Sequence, residues 1–162
     1  MSMVFGKPLV RQPALFCGTG KVIFNGKVRL GCFPSPFFYN GYLHIEARSP
    51  EAVIEIGDGT YINNNCVIIS EGAGIEIGSN CLIGAEVNIF DSDFHGLVDR
   101  KQALKKAIKI GDNVFIGARA IILKGVHIGS NSTIAAGSIV TKDVPPDAVA
   151  AGNPASVVKV LK

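Results

Sequence analysis

Tryptophan is absent from this chain of 162 residues, and charged residues make up only 18% of it. No apolar run reaches the roughly 18 residues that a membrane-spanning helix needs. The formal net charge of +3 is too small and too scattered to argue for nucleic acid. The start, Met1 to Pro8, carries no long apolar core and is therefore not read as a signal peptide. The four cysteines, Cys17, Cys32, Cys66 and Cys81, form no CxxC pair and lack zinc spacing. They read as small hydrophobes in a reducing, cytoplasmic setting. With only three histidines, His44, His95 and His127, a three-histidine zinc site would need all of them to converge.

What is abundant is glycine, at 19 residues, and β-branched aliphatics, a composition that suits short strands with tight corners. Their order is more informative than their number. Ile110, Ile116, Ile122, Ile128, Ile134 and Val140 stand six apart. The fourth position after each of the first five anchors is small or short: Val114, Ala120, Val126, Ser132 and Ser138. Neither the helical period nor the two-residue alternation of a lone strand produces this pattern. A sustained period of six predicts a parallel β-helix, an all-β fold in which short strands stack coil on coil. The same register holds for Ile56, Ile62 and Ile68, and again for Ile77, Ile83 and Ile89. Two insertions interrupt it, a small one near Ser70–Gly74 and a large one at about 91–107. Extra residues cannot enter the stacked core, so each must leave as a loop, and chemistry is expected on the larger one.

A single domain is expected, with an arm at 1–20, coils at 21–144 and a tail at 145–162. Three hexapeptides per coil give about five or six coils between Lys21 and Val144. Val22 and Val28 start the pattern loosely. The aromatic, proline-bearing stretch Gly31–Tyr39 reads either as a cap for the end of the stack or as a surface contact. Pro145 and Pro146 end the repeat. Ala151–Ala155 reads as a turn, after which Val157–Leu161 fold back as a short strand or helix.

The stretch from Ile110 to Gly129, Ala136-Gly-Ser-Ile-Val-Thr-Lys-Asp-Val-Pro-Pro and Ala151-Gly-Asn-Pro-Ala, taken with the histidine-bearing loop, resemble the hexapeptide-repeat acyltransferases. The likeness covers about residues 52–160 and is strongest to the galactoside, maltose and nodulation-factor acetyltransferase group. It implies a left-handed winding, an exception to the usual crossover rule. It also implies acetyl-CoA as donor, a homotrimer with sites between subunits, and a sugar or glycan-precursor hydroxyl as acceptor. N-acetylation of an amino sugar or nucleotide-linked amino sugar is the alternative. A proline- and aromatic-rich segment stands where the maltose-type enzymes have a helical one, which leaves the acceptor open. A non-catalytic scaffold would favour a regular outward ladder, which the irregular outward positions do not provide.

A neutral hydroxyl is a weak nucleophile, so acetyl transfer needs a general base within hydrogen-bond reach. Histidine, with an ordinary pKa of about 6.5, suits that role. His95 lies in the large insertion between two nearby carboxylates and a basic run of Arg100, Lys101, Lys105 and Lys106, and it matches the family's base. Asp91 and Asp93 are candidates to hold the imidazole or acceptor hydroxyls, and the resemblance aligns Asp93 and Asn64 with acceptor contacts. Two carboxylates are too few for a calcium cage, and no metal is expected. The resemblance further implies a groove for coenzyme A along Gly117, Ala118, Ala135, Ala136, Thr141 and Lys142, with Lys159 toward its phosphates.

Overall fold

A hexapeptide holds one short strand and one corner, so three of them close a triangular turn of chain. The computed structural model describes residues 1–96, 98–99 and 102–161, and Arg100 and Lys101 of the expected basic run lie outside these. The first coil is β1 (Met3–Phe5), β2 (Leu9–Val10) and β3 (Ala14–Gly18); the second is β4 (Lys21–Phe24), β5 (Arg29–Leu30) and β6 (Leu43–Ala47). The third is β7 (Val53–Ile56), β8 (Tyr61–Ile62) and β9 (Val67–Ser70); the fourth is β10 (Ile75–Ile77), β11 (Leu82–Ile83) and β12 (Asn88–Phe90). The fifth is β13 (Ile108–Ile110), β14 (Phe115–Ile116) and β15 (Ile121–Ile122); the sixth is β16 (His127–Ile128), β17 (Thr133–Ile134) and β18 (Ile139–Val140). A hairpin of β19 (Ala148–Gly152) and β20 (Ala155–Val160) follows.

The first strands of the coils form one sheet, β1-β4-β7-β10-β13-β16, and the third strands form another, β3-β6-β9-β12-β15-β18. The second strands and the hairpin form the remaining sheet, β2-β5-β8-β11-β14-β17-β19-β20. Among the described residues, every pairing between these strands is parallel except β19 with β20. The fold is an all-β, left-handed parallel β-helix.

The anchors become three aliphatic columns. Ile56, Ile77, Ile110 and Ile128 stack in the first sheet, and Ile62, Ile83, Ile116 and Ile134 in the second. Ile68, Ile89, Ile122 and Val140 stack in the third, and all twelve of these side chains are buried. Burying one such side chain is worth about 1.5–3 kcal/mol, gained only when a neighbouring coil is present to cover it. The glycine one step past an anchor has a matching reason. A Cβ at Gly117 would lie 2.4 Å from the Ala136 backbone nitrogen of the next coil. One corner line is further tied by amides, Asn113 Nδ2 to Asn131 Oδ1 at 3.0 Å and Asn131 Nδ2 to Asp147 Oδ1 at 2.9 Å. Asn113, Asn131 and Asp147 hold left-handed backbone angles there.

Several boundaries differ from the sequence reading. Residues 3–18, expected as an arm, form a complete first coil paired to the second. Val4, Phe5, Leu9, Val10 and Leu15 are exposed in this coil, which blurs its pattern. Phe24, Leu30 and Ile45, rather than Val22 and Val28, continue the columns in the second coil. The aromatic stretch does not cap the stack. It is a loop between β5 and β6 carrying edge-on contacts among Phe33, Phe38 and Tyr39. The tail folds back as a strand, β20.

Cys66 and Cys81 occupy corner positions inside the column, and their thiols donate to Gly84 O and Gly111 O, each at 3.1 Å. Burial pushes the Cys66 thiol up to about 12 and raises that of Cys81 as well. Cys32 moves the other way, lowered by side-chain hydrogen bonds with Ser35 and Tyr61. Titration of the folded protein with an aromatic disulfide at pH 8 should therefore show Cys32 and Cys17 reacting quickly, Cys32 first. Cys66 and Cys81 should react only after denaturant is added. Rapid reaction of Cys66 in the native state would contradict the packing described.

Candidate active site

Each coil turns through three corners, and two of them flank the third sheet. The corner leading into that sheet is short in most coils. The corner leaving it carries the small insertion at 71–74 and the large one at 91–107.

At the base of the large loop, Ser92 and Lys105 form an antiparallel bridge. Lys106 N donates to Asp91 O at 2.9 Å and Asp93 N to Leu104 O at 3.1 Å. Asp91 is fully buried. Its Oδ2 accepts from Ser70 Oγ at 2.6 Å and from Gly74 N at 2.8 Å, and its Oδ1 accepts from Glu71 N at 2.7 Å. Asp91 was expected to meet imidazole or acceptor. Its two oxygens are instead spent pinning the 71–74 corner to the loop base, with no face toward solvent. Asp93 is exposed, and its Oδ1 pairs with Lys124 Nζ at 2.7 Å, which ties the loop to the corner of the next coil. Phe94 has a left-handed backbone, φ 61, unusual for a bulky residue. His95 follows it and is exposed.

The other histidines lie elsewhere. His127 is exposed on the outer face of the first sheet, and His44 lies on the outer face of the third, 3.1 Å from Glu46 Oε2. Among the described residues, no group of three His, Cys, Asp or Glu side chains is placed to hold a metal.

Asn64 sits at the corner leading into the third sheet and is also fully buried. Its Oδ1 accepts from Cys32 N at 2.9 Å, and its Nδ2 donates to Cys32 O at 2.9 Å, Pro36 O at 2.8 Å and Ser35 O at 3.3 Å. Asn64, expected at the acceptor, has both ends of its amide engaged in this structure. Its amide holds the aromatic loop, because side chains alternate along the corner and this one points inward. Asn63, one residue earlier, is only partly buried and donates to Ser35 Oγ at 3.2 Å.

Along the same edge, later coils present a groove. It holds about 490 Å³ and is lined by Phe37, Ala85, Glu86, Ala118, Arg119, Ala136 and Gly137, with Pro36. Ala118 and Ala136 are exposed, Ala135 is half-buried and Gly117 is buried beneath them. Arg119 Nε pairs with Glu86 Oε2 at 2.7 Å, and its guanidinium stands 6.0 Å from the Phe37 ring. The small-residue floor leaves room for an extended chain, and the cation beside it, Arg119, is already paired with Glu86. Thr141 and Lys142 lie on the opposite edge of the third sheet, in a cavity of about 330 Å³ shared with Pro154–Val157 of the hairpin. Lys159 is exposed on β20. Within one chain, His95 and the alanine groove therefore occupy different edges of the same sheet.

Between these edges the outer face of the third sheet carries Val67, Ile69, Phe90, Ile121, Leu123 and Ile139, all partly exposed.

Residues 107–142 match the hexapeptide repeat of succinyl-transferase. Galactoside O-acetyltransferase of Lactococcus lactis subsp. lactis is 34% identical over 157 residues, covering 94% of this chain and 71% of that protein. The chain belongs to the hexapeptide-repeat acyltransferases. Nodulation protein L of Rhizobium meliloti is 50% identical over 107 residues, covering 64% of this chain and 58% of its own length. The chain thus spans little more than half of that protein. A solved hexapeptide-repeat-containing acetyltransferase of Vibrio cholerae O1 biovar eltor, complexed with acetyl coenzyme A, superposes with a TM-score of 0.63 at 31% identity. That superposition covers 96% of this chain and 71% of the other.

Sequence reasoning missed Arg48, Glu71 and Ser92, which surround the loop's base. None sits in a motif. The one available signal was the small insertion at Ser70–Gly74, which placed a carboxylate on the same edge as His95.

Proposed function

We propose that this hexapeptide-repeat acyltransferase moves an acetyl group from acetyl-CoA to a hydroxyl of a sugar or glycan precursor, with His95 as general base. The observation that carries this reading is the division of the site: an exposed imidazole on one edge of the third sheet, a small-residue groove on the other, and an apolar face between them. Packing the apolar faces of three copies around an axis would bring the loop of one copy over the groove of the next. The enzyme is accordingly a homotrimer with three shared sites.

The donor lies along Ala118 and Ala136, above Gly117 and beside Ala135. Thr141 and Lys142, on the loop edge of the neighbouring copy, border its far end, and Lys159 meets its phosphates as a point charge. The acceptor enters between this groove and the loop, where the exposed Asp93 offers hydrogen bonds. His95 takes the proton from the acceptor hydroxyl as its oxygen attacks the thioester carbonyl. The tetrahedral intermediate collapses, the ester forms, and the same proton passes to the departing coenzyme A thiolate. Four free cysteines agree with a reducing, cytoplasmic setting.

A mixing experiment tests the shared site. His95→Ala and Ala136→Trp variants should each be inactive as pure trimers in an assay of thiol release with sugar acceptors. Co-expressed, they form mixed trimers in which about one site in four combines an intact loop with an open groove, so about a quarter of the activity should return. No recovery in demonstrably mixed trimers would place base and donor on the same copy. Faster transfer to amino sugars than to hydroxyls would move the assignment to N-acetylation.

A further inference from the structure

A left-handed phenylalanine does not hold itself in place. Phe94, with φ 61, needs its surroundings to fix it, because a bulky side chain disfavours that backbone. Three contacts, one of them relayed to a fourth, do so. Its ring meets Phe90 edge-on at 5.4 Å. Its backbone nitrogen donates to Ser92 Oγ at 2.9 Å. The Ser92 hydroxyl in turn donates to Glu71 Oε2 at 2.5 Å. The Arg48 guanidinium lies 5.0 Å over the Phe94 ring.

Two of these contacts converge on one residue. Arg48 Nη1 donates to Glu71 Oε1 at 3.2 Å, which orients the carboxylate that receives Ser92. Its Nε and Nη2 donate to Glu46 Oε1 and Oε2, at 2.8 and 3.2 Å. The Arg48 guanidinium holds Glu46 below the usual carboxylate range, and both carboxylate side chains are only 16% exposed. Edge and face of the guanidinium are therefore used together: the fork clasps one carboxylate, the remaining nitrogen reaches a second, and the plane covers an aromatic ring. The connection runs from the second coil through the third to the loop of the fourth and ends one residue before His95. An isolated surface ion pair would contribute little, but this one shares its partners with the backbone of the loop.

We infer that Arg48 is a positioning residue that, through Glu71, Ser92 and Phe94, sets the direction in which His95 points. This rests on the reading of His95 as general base, although the contact between Arg48 and the loop stands without it. A lysine keeps the charge but cannot form the fork, reach Glu71 and cover the ring at once.

The test uses the full chain. Arg48→Ala should lower kcat roughly 10- to 100-fold, the scale of a misplaced catalytic group, while KM for acetyl-CoA stays within about twofold. Arg48→Lys should recover little of that loss. Lys109→Ala, which removes an exposed ion pair with Glu76 on the outer face of the first sheet, serves as the control and should leave kcat unchanged. Amide exchange gives a second reading independent of activity: protection at Phe94 should fall in Arg48→Ala, with the coil strands unaffected. If Arg48→Ala keeps wild-type kcat and Phe94 protection while His95→Ala is inactive, the inference fails and the base assignment stands. If Phe94 loses protection but His95→Ala transfers normally, the positioning contact stands and the base assignment fails. A general loss of protection across the strands would overturn the inference by making Arg48 a fold-wide brace.

Discussion

His95→Ala is expected to reduce acetyl transfer by about 10²- to 10⁴-fold, the usual contribution of a positioned general base. The loss should fall on kcat, with KM for acetyl-CoA little changed, because the groove that would receive the donor lies on the other edge of the third sheet. Stability should be unaffected. His95 is exposed, and the loop is held at its base by Asp91, the Ser92–Lys105 bridge and the Asp93–Lys124 pair. Thiol release from acetyl-CoA over a panel of sugars, alongside a thermal melt of the same sample, separates the two quantities. Transfer at the wild-type rate would remove His95 from the chemistry. A large fall in melting temperature would instead mean that the side chain braces the loop.

Asp91→Asn should act through stability first. The substitution keeps the volume but replaces one carboxylate oxygen with an NH2 group. Both oxygens now face donors: Glu71 N on one side, Ser70 Oγ and Gly74 N on the other. Whichever way the amide is turned, a donor meets a donor at a fully buried site. Hydrogen bonds to a charged acceptor are worth about 1.5–3 kcal/mol, and stranded buried donors add their own desolvation cost. A loss of about 3 kcal/mol would lower the melting temperature by roughly 6–12 °C for a chain of this size. Circular dichroism checks it directly. Activity should fall as well, since the same carboxylate joins the corner at 71–74 to the base of the His95 loop. A melting temperature within about 2 °C of wild type would mean that the corner finds its hydrogen bonds elsewhere.

Asp91 and His95 differ in a way that the sequence alone does not carry. Both stand in one insertion, and spacing alone located that insertion. Nothing in the residues themselves separated the buried carboxylate from the exposed imidazole. The same holds for Asn63 and Asn64: identical neighbours at one corner, of which the first is partly exposed and the second spends its whole amide on the loop at Cys32–Pro36. Residues 3–18 went unrecognised for another reason. Val10 and Phe16 keep the six-residue interval, in register with Leu30 and Ile45, but Phe16 is not β-branched and no longer run of anchors surrounds them.

The β-helix was legible from order alone, because six residues make one side of the column and any aliphatic ladder at that interval must face inward. Stacking distance then dictated small residues at the tight corners. The site was different. Arg48, Glu71 and Ser92 are 23 and 21 residues apart in sequence, and they meet because successive coils bring the same edge back around, at heights that depend on how many residues each corner holds. Which polar group is spent inside the stack and which is left for chemistry is decided by that vertical neighbourhood, a property of the wound chain and not of any local pattern.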